Sequence, residues 1–171
     1  MKYDDASWHY DGSFPDDLPP ERGATHMGMF MVWTIDNDLV SDFVKEDLKE
    51  QLEKIKQRKL TGSKFIMEEC DEKLFADLFN DVGNEFAEDY YESDYFNDYC
   101  DILGDTIGED DDVYLIEDNW GNYDTVKQAL DKKFKEWHDG GSEEKVEKKN
   151  DKDGGDVEEE SLFAKIINMF S

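Results

Sequence analysis

Basic residues are missing from a long central stretch of this chain: between Lys73 and Lys127 there is no Lys, Arg or His, while 17 Asp and Glu residues fall in the same window. The gap belongs to a wider imbalance of 46 acids against 19 Lys and Arg, with a net charge of -27. A field of that sign repels nucleic acid and anionic membrane surfaces, both polyanions, and draws in cationic partners. Most other basic residues before the tail sit at 45 to 64 and 127 to 135, so the acidity is polarised along the chain.

Other scarcities narrow the field further. Cys70 and Cys100 are the two cysteines, without a CxxC pair, which excludes a disulfide framework or a zinc-finger spacing and predicts reduced core thiols. No apolar run approaches the roughly 20 residues that a membrane span needs, and Met1-Lys2-Tyr3-Asp4-Asp5 is not an apolar leader. No membrane association and a cytoplasmic location are the expectations. The three prolines, Pro15, Pro19 and Pro20, exclude a helix interior from the first segment, Tyr3 to Arg22, which reads as an ordered aromatic arm or the start of a hairpin.

Aromatic residues, in contrast, are plentiful. With 11 Phe, 8 Tyr and 4 Trp in 171 residues, the chain has enough apolar surface to fold despite its charge. Residues 25 to 35 are apolar nearly all round, with Met27, Met29, Phe30, Met31, Val32, Trp33 and Ile35 after a Thr25 cap, and predict a buried central helix. Ser41 caps a second helix carrying Val44, Leu48, Leu52 and Ile55, and Ser63 a short third through Phe65 to Cys70. A fourth runs from about Asp81 to Tyr91 with Val82, Phe86 and Tyr90 inward, and a fifth from Asp94 to Leu103. Val113 to Ile116 reads as an isolated strand. The last core helix covers about Tyr123 to Trp137, with Val126, Leu130, Phe134 and Trp137 on one face.

After His138 the composition changes. Residues 139 to 160 hold two Gly-Gly pairs and ten acids against four lysines, which is linker composition. Beyond it Leu162, Phe163, Ile166, Ile167 and Phe170 form one helical stripe after Ser161. The fold expected is a mainly α-helical single domain of about six helices over 1 to 138, with at most a small strand element. A flexible acidic linker over 139 to 160 and a short amphipathic C-terminal helix over 161 to 171 follow it.

No catalytic constellation stands out. HExxH, GxSxG, Cys/His signatures and Gly-rich phosphate loops are all absent. His9, His26 and His138 are expected to make structural hydrogen bonds, with Trp8-His9-Tyr10 the most suggestive setting. Glu68 to Glu72, Glu109 to Asp112 and Asp151 to Asp156 are acidic enough to attract hard cations, but none matches an EF-hand loop. Neither a dedicated metal site nor a cofactor is expected.

Interleaved with the acids of the base-free stretch are Tyr90, Tyr91, Tyr95, Phe96, Tyr99, Tyr114, Trp120 and Tyr123. Aromatics set in an acidic rim suit an interface with a cationic protein, the field speeding encounter and the aromatics supplying anchors. The candidate partner-binding residues are Asp94, Asp98, Asp110, Asp111, Asp112, Tyr114, Asp118 and Trp120.

The block Lys2-Tyr3-Asp4-Asp5-Ala6-Ser7-Trp8-His9-Tyr10, with Gly12, Phe14-Pro15, Leu18-Pro19, Gly23-Ala24-Thr25-His26 and Gly28-Met29-Phe30, resembles the opening of an uncharacterised family of small acidic bacterial proteins. Cys70 to Leu74, Glu117-Asp118-x-Trp120-x-Asn122-Tyr123-Asp124 and Phe134-x-Glu136-Trp137 look similar to its later blocks, so the resemblance spans 2 to 137. It carries over no catalytic residue. In type, such proteins resemble the immunity proteins of bacterial toxin systems, which bind a cognate toxin and block its active site. The resulting expectation is an antagonist of a basic toxin or effector that makes contact through residues 77 to 124. The alternatives are a small enzyme using a His/carboxylate site near Trp8-His9-Tyr10, and an adaptor acting through the C-terminal helix.

Overall fold

The structure is a computed structural model that describes residues 1 to 10, 14 to 108 and 112 to 149, with side chains to 140. It divides into two units, Met1–Glu136 and Trp137–Ser171. The first unit is mainly α-helical with one small sheet, as expected. Among the described residues no helix is long and apolar enough to cross a membrane.

Helix α1, Thr25–Asp36, is the centre of this unit: every residue from Thr25 to Ile35 is buried, which its all-round apolar sequence requires. It lacks the expected Thr25 cap. A 3-10 turn, Pro20–Ala24, runs directly into the helix, so no extended residue precedes it, and Thr25 sits inside the first turn. Helices α2 (Asp42–Asp47) and α3 (Lys49–Lys56) divide the expected second helix at Leu48, and the Ser41 hydroxyl does cap its start, accepting from the Val44 N–H at 3.4 Å.

Helix α4, Gly62–Glu69, crosses α1 at backbone contact. A Cβ on Gly28 would overlap the Gly62 backbone, and one on Gly62 would overlap Gly28, so glycine is required on both sides of the crossing. Ser63 does not cap this helix as expected; the residue before it is Thr61, without a side-chain cap, and the Ser63 hydroxyl is used elsewhere.

Strand β1, Lys2–Asp5, pairs antiparallel with β2, Lys73–Phe75, an element the sequence reading did not foresee. The first segment is therefore half of a long-range pair and not a hairpin. The strand expected over 113 to 116 is absent: Val113–Leu115 is a 3-10 turn, capped by the Asp112 side chain accepting from the Tyr114 N–H at 3.0 Å. Among the described residues no strand lies beside it to pair with, and its hydrogen bonds close locally.

The expected fourth and fifth helices are one rod: α5 (Asp81–Phe86), a π-helical segment (Ala87–Tyr95) and α6 (Phe96–Leu103). Its buried side chains recur at Phe86, Tyr90 and Tyr91, Tyr95, Tyr99 and Leu103, in steps of four or five. A repeat of 3.6 drifts away from such a stripe, and the wider π turn restores it. The rod packs its rings on α1, where Phe30 meets Tyr91 at 4.7 Å and Tyr95 at 5.3 Å between ring centroids.

Helix α7, Trp120–Lys149, begins in the first unit with Tyr123, Val126 and Leu130 buried. The Asp131 carboxylate accepts from the Trp33 indole N–H at 2.8 Å. The helix continues through 139 to 149, whose composition reads as linker. The C-terminal helix expected over 161 to 171 lies outside the described residues.

Candidate functional site

Asp4 is the residue on which distant parts of the first unit converge. Strict alternation would bury every second residue of β1, yet Tyr3, Asp4 and Asp5 are all buried. The register explains this: Lys2 faces Phe75 and Asp4 faces Leu74, so a bulge between them re-aims the strand and turns the Asp4 carboxylate inward. Asp5 then stops the strand, accepting from the Ser7 N–H at 3.1 Å and the Ser7 hydroxyl at 2.6 Å to start a 3-10 turn, Ala6–His9. That turn folds His9 back over Asp4.

The carboxylate is saturated with donors. Its Oδ1 meets His9 Nε2 at 3.0 Å and the Asp5 N–H at 2.8 Å; its Oδ2 meets His26 Nε2 at 3.0 Å and accepts from the Tyr91 hydroxyl at 2.6 Å. His26 comes from the first turn of α1, Tyr91 from the π segment. On its far side, His9 Nδ1 lies 3.0 Å from the hydroxyl of Tyr114. With each imidazole protonated on Nε2, both rings are neutral donors to Asp4 and Tyr114 donates to His9, so the hydrogen bonds close without a conflict.

Electrostatics follow from this geometry. Burial alone would raise the Asp4 carboxyl, but the hydrogen bonds from His26, His9 and Tyr91 outweigh it and hold the group well below the usual carboxylate range. Burial pushes the His26 imidazole down, against the pull of Asp4, and pushes the Tyr91 hydroxyl far up. Aromatic rings wall this cluster. Phe96 packs on both imidazoles, at 5.9 Å from His9 and 4.9 Å from His26 between centroids. His9 keeps 16% of its side chain exposed, and Trp8 beside it is 58% exposed with the Lys2 ammonium 4.3 Å from its ring centroid.

The residues expected to bind a partner fall in different settings. Asp98 accepts from the Tyr90 hydroxyl at 2.7 Å and pairs with Lys133 at 3.0 Å. Asp112 caps its turn, and Tyr114 is held on His9. Asp118 binds the Ser63 hydroxyl and, at 3.3 Å, the Ser63 N–H, pinning the start of α4. Trp120 is half-buried, donating its indole N–H to the Arg58 carbonyl at 3.0 Å under the Arg58 guanidinium, which itself pairs with Asp124 at 2.6 Å. Asp94 is exposed, and Asp110 and Asp111 lie outside the described residues.

What stands in solvent is the outer side of the rod. Asp81, Glu85, Glu88, Asp89, Glu92, Asp94 and Asp101 are all exposed there, with the Phe96 ring 36% exposed among them. Among the described residues this exposed acidic row runs over 81 to 101, N-terminal to most of the residues singled out from sequence. Cys70 and Cys100 are both free thiols, and burial pushes the Cys70 thiol up to about 12.

Sequence reasoning had picked out His9 but missed Asp4, Tyr91 and the role of His26. One signal was present: His26 lies in the first turn of a mostly apolar helix, and a histidine buried there needs a polar partner.

The chain belongs to the family described as a domain of unknown function (DUF7832), whose model matches residues 2–114. Asp4, His9, His26, Tyr91 and Tyr114 all fall inside the matched span, as does the acidic rod; α7 falls outside it. No curated protein and no solved structure matches the chain.

Proposed function

We propose that this protein is a binding protein that neutralises a basic partner, in the manner of an immunity protein that blocks the active site of a toxin or effector. The reading rests chiefly on one observation: from Asp81 to Asp101 a single helical rod turns its aromatic rings inward and presents acid after acid to solvent. Rigid presentation matters, because carboxylates fixed on a packed helix keep their field in one place and lose little conformational freedom on binding. Phe96 offers an apolar contact inside that rim.

The chemistry of the partner follows from that surface. A basic groove built to hold a polyanion, such as the substrate channel of a nuclease, is complementary to a row of helical carboxylates. The test is calorimetry of the full chain with the purified product of the neighbouring gene, using Glu85→Lys, Glu88→Lys and Glu92→Lys together and, separately, deletion of residues 139 to 171. The account expects the triple reversal to weaken binding at least 100-fold and the deletion to leave it unchanged. Loss of binding on the deletion alone would move the function to the tail and favour the adaptor reading.

A further inference from the structure

The histidine and carboxylate cluster described above has the donor set of a metal centre. The side chains of Asp4, His9 and His26 each offer one ligand atom, and these atoms all lie within 4.8 Å of one another. In a four-coordinate site with bonds of about 2.0–2.2 Å the ligand atoms stand about 3.3–3.6 Å apart, so closing the triad round an ion draws its widest pair together by up to about 1 Å, within reach of side-chain rotation. The three come from separate elements, a bulged strand, a turn and a helix start, and are fixed in place by the fold around them. We propose that Asp4, His9 and His26 bind a divalent transition-metal ion of the zinc type. No motif spacing announces this site, and the sequence reading expected no dedicated metal site.

Three features carry the inference beyond the bare triad. First, the ligand chemistry is selective: two imidazoles and one carboxylate favour Zn2+, Co2+, Ni2+ or Cu2+ over Ca2+ and Mg2+, which prefer oxygen shells. Second, the supporting hydrogen bonds are those that orient metal ligands. The Asp4 carboxylate is held by the Tyr91 hydroxyl and the Asp5 N–H, and the far nitrogen of His9 faces the Tyr114 hydroxyl at 3.0 Å. When the ion takes His9 Nε2, the ring proton resides on Nδ1 and is donated to the Tyr114 oxygen, a reversal that a hydroxyl accepts without moving. Third, the site holds a carboxylate inside a strongly acidic protein, so the long-range field concentrates cations at it. Three protein ligands leave a fourth position open, and the part-exposed His9 marks the side from which water or a substrate atom would reach it.

The ion competes with a hydrogen-bonded cluster that is already satisfied, and the experiment is chosen to separate the two states. The full-length protein is stripped with a chelator and titrated with Co2+, followed by visible absorption, then with Zn2+ as competitor. The expected result is one equivalent of Co2+ giving d–d bands of a four-coordinate centre, bleached by one equivalent of Zn2+, with a rise in Tm that excess Ca2+ or Mg2+ does not reproduce. His9→Gln, at the part-exposed ligand, abolishes the bands while far-UV circular dichroism keeps the helical signal of the parent. Tyr114→Phe retains them with an affinity lower by about 10-fold or more. A triple change of Glu85, Glu88 and Glu92 to Lys, away from the cluster, leaves the stoichiometry at one. Absence of d–d bands in the unaltered chain, or bands that persist in His9→Gln, overturns the site.

Discussion

Asp4 and Glu88 carry the same functional group, yet one lies buried beneath two imidazoles and a tyrosine hydroxyl while the other stands in solvent on the outside of a helical rod. Around Asp4 the fold has gathered donors from the bulged strand, the following turn, α1 and the π segment, and each one is needed because a buried charge without partners is costly. Around Glu88 water shares the solvation with the Tyr3 hydroxyl, and the exposed carboxylate faces whatever lies outside the molecule. An acidic composition therefore conceals two kinds of carboxylate, one that organises the interior and many that shape the external field.

The largest effect expected from this contrast is at the buried end. Asp4→Ala leaves His9, His26 and Tyr91 directed at a vacated site, and a loss of about 3–5 kcal/mol is expected, because buried donors left without an acceptor cost about 1–3 kcal/mol each. Urea unfolding followed by circular dichroism measures it; a loss below 1 kcal/mol would mean that the cluster organises nothing. Tyr91→Phe removes one donor to the charge and keeps the ring, so its expected cost is about 1.5–3 kcal/mol. Its midpoint should fall between those of Asp4→Ala and the parent.

At the exposed end the expectation is the reverse. Glu85→Lys, Glu88→Lys or Glu92→Lys alone should shift stability by no more than about 0.5 kcal/mol, and upward if self-repulsion matters. A single reversal that unfolded the protein would show that the rod's outer acids hold the fold as well as the field.

Asp98 lies between the two classes and is the smallest test. Burial would raise its carboxyl, but the Tyr90 hydroxyl and Lys133 lower it overall. Because the folded state depresses it, its contribution is present above the unfolded value of about 3.9 and is lost as pH falls through the folded one. Lys133 is 42% exposed, so the pair contributes less than about 1 kcal/mol. Asp98→Asn should flatten the acid limb of the stability curve slightly and leave the neutral plateau nearly unmoved.

Much of the scaffold was legible in the sequence, and the reason is local. The all-round apolar run over 25 to 35 could only be a buried helix, Ser41 carried its cap beside its helix, and the base-free acidic stretch was plain to see. The cluster was not legible because it is built from distance: Tyr91 reaches Asp4 across 87 residues, and no local pattern marks which of the 46 acids gathers donors in the interior. The same holds for Gly28 and Gly62, whose meaning appears only where α1 and α4 cross. The π segment misled the reading for another cause, since buried positions in steps of four and five look like two helices when a single 3.6 repeat is assumed.

The partner surface is decided by association kinetics. Stopped-flow binding of the full chain to the purified basic partner, with and without the Glu85, Glu88 and Glu92 reversals, isolates the contribution of the rod at low and high salt. The association rate is expected to fall at least tenfold in the reversed protein and to lose most of its salt dependence. An unchanged rate with an unchanged salt slope would contradict it.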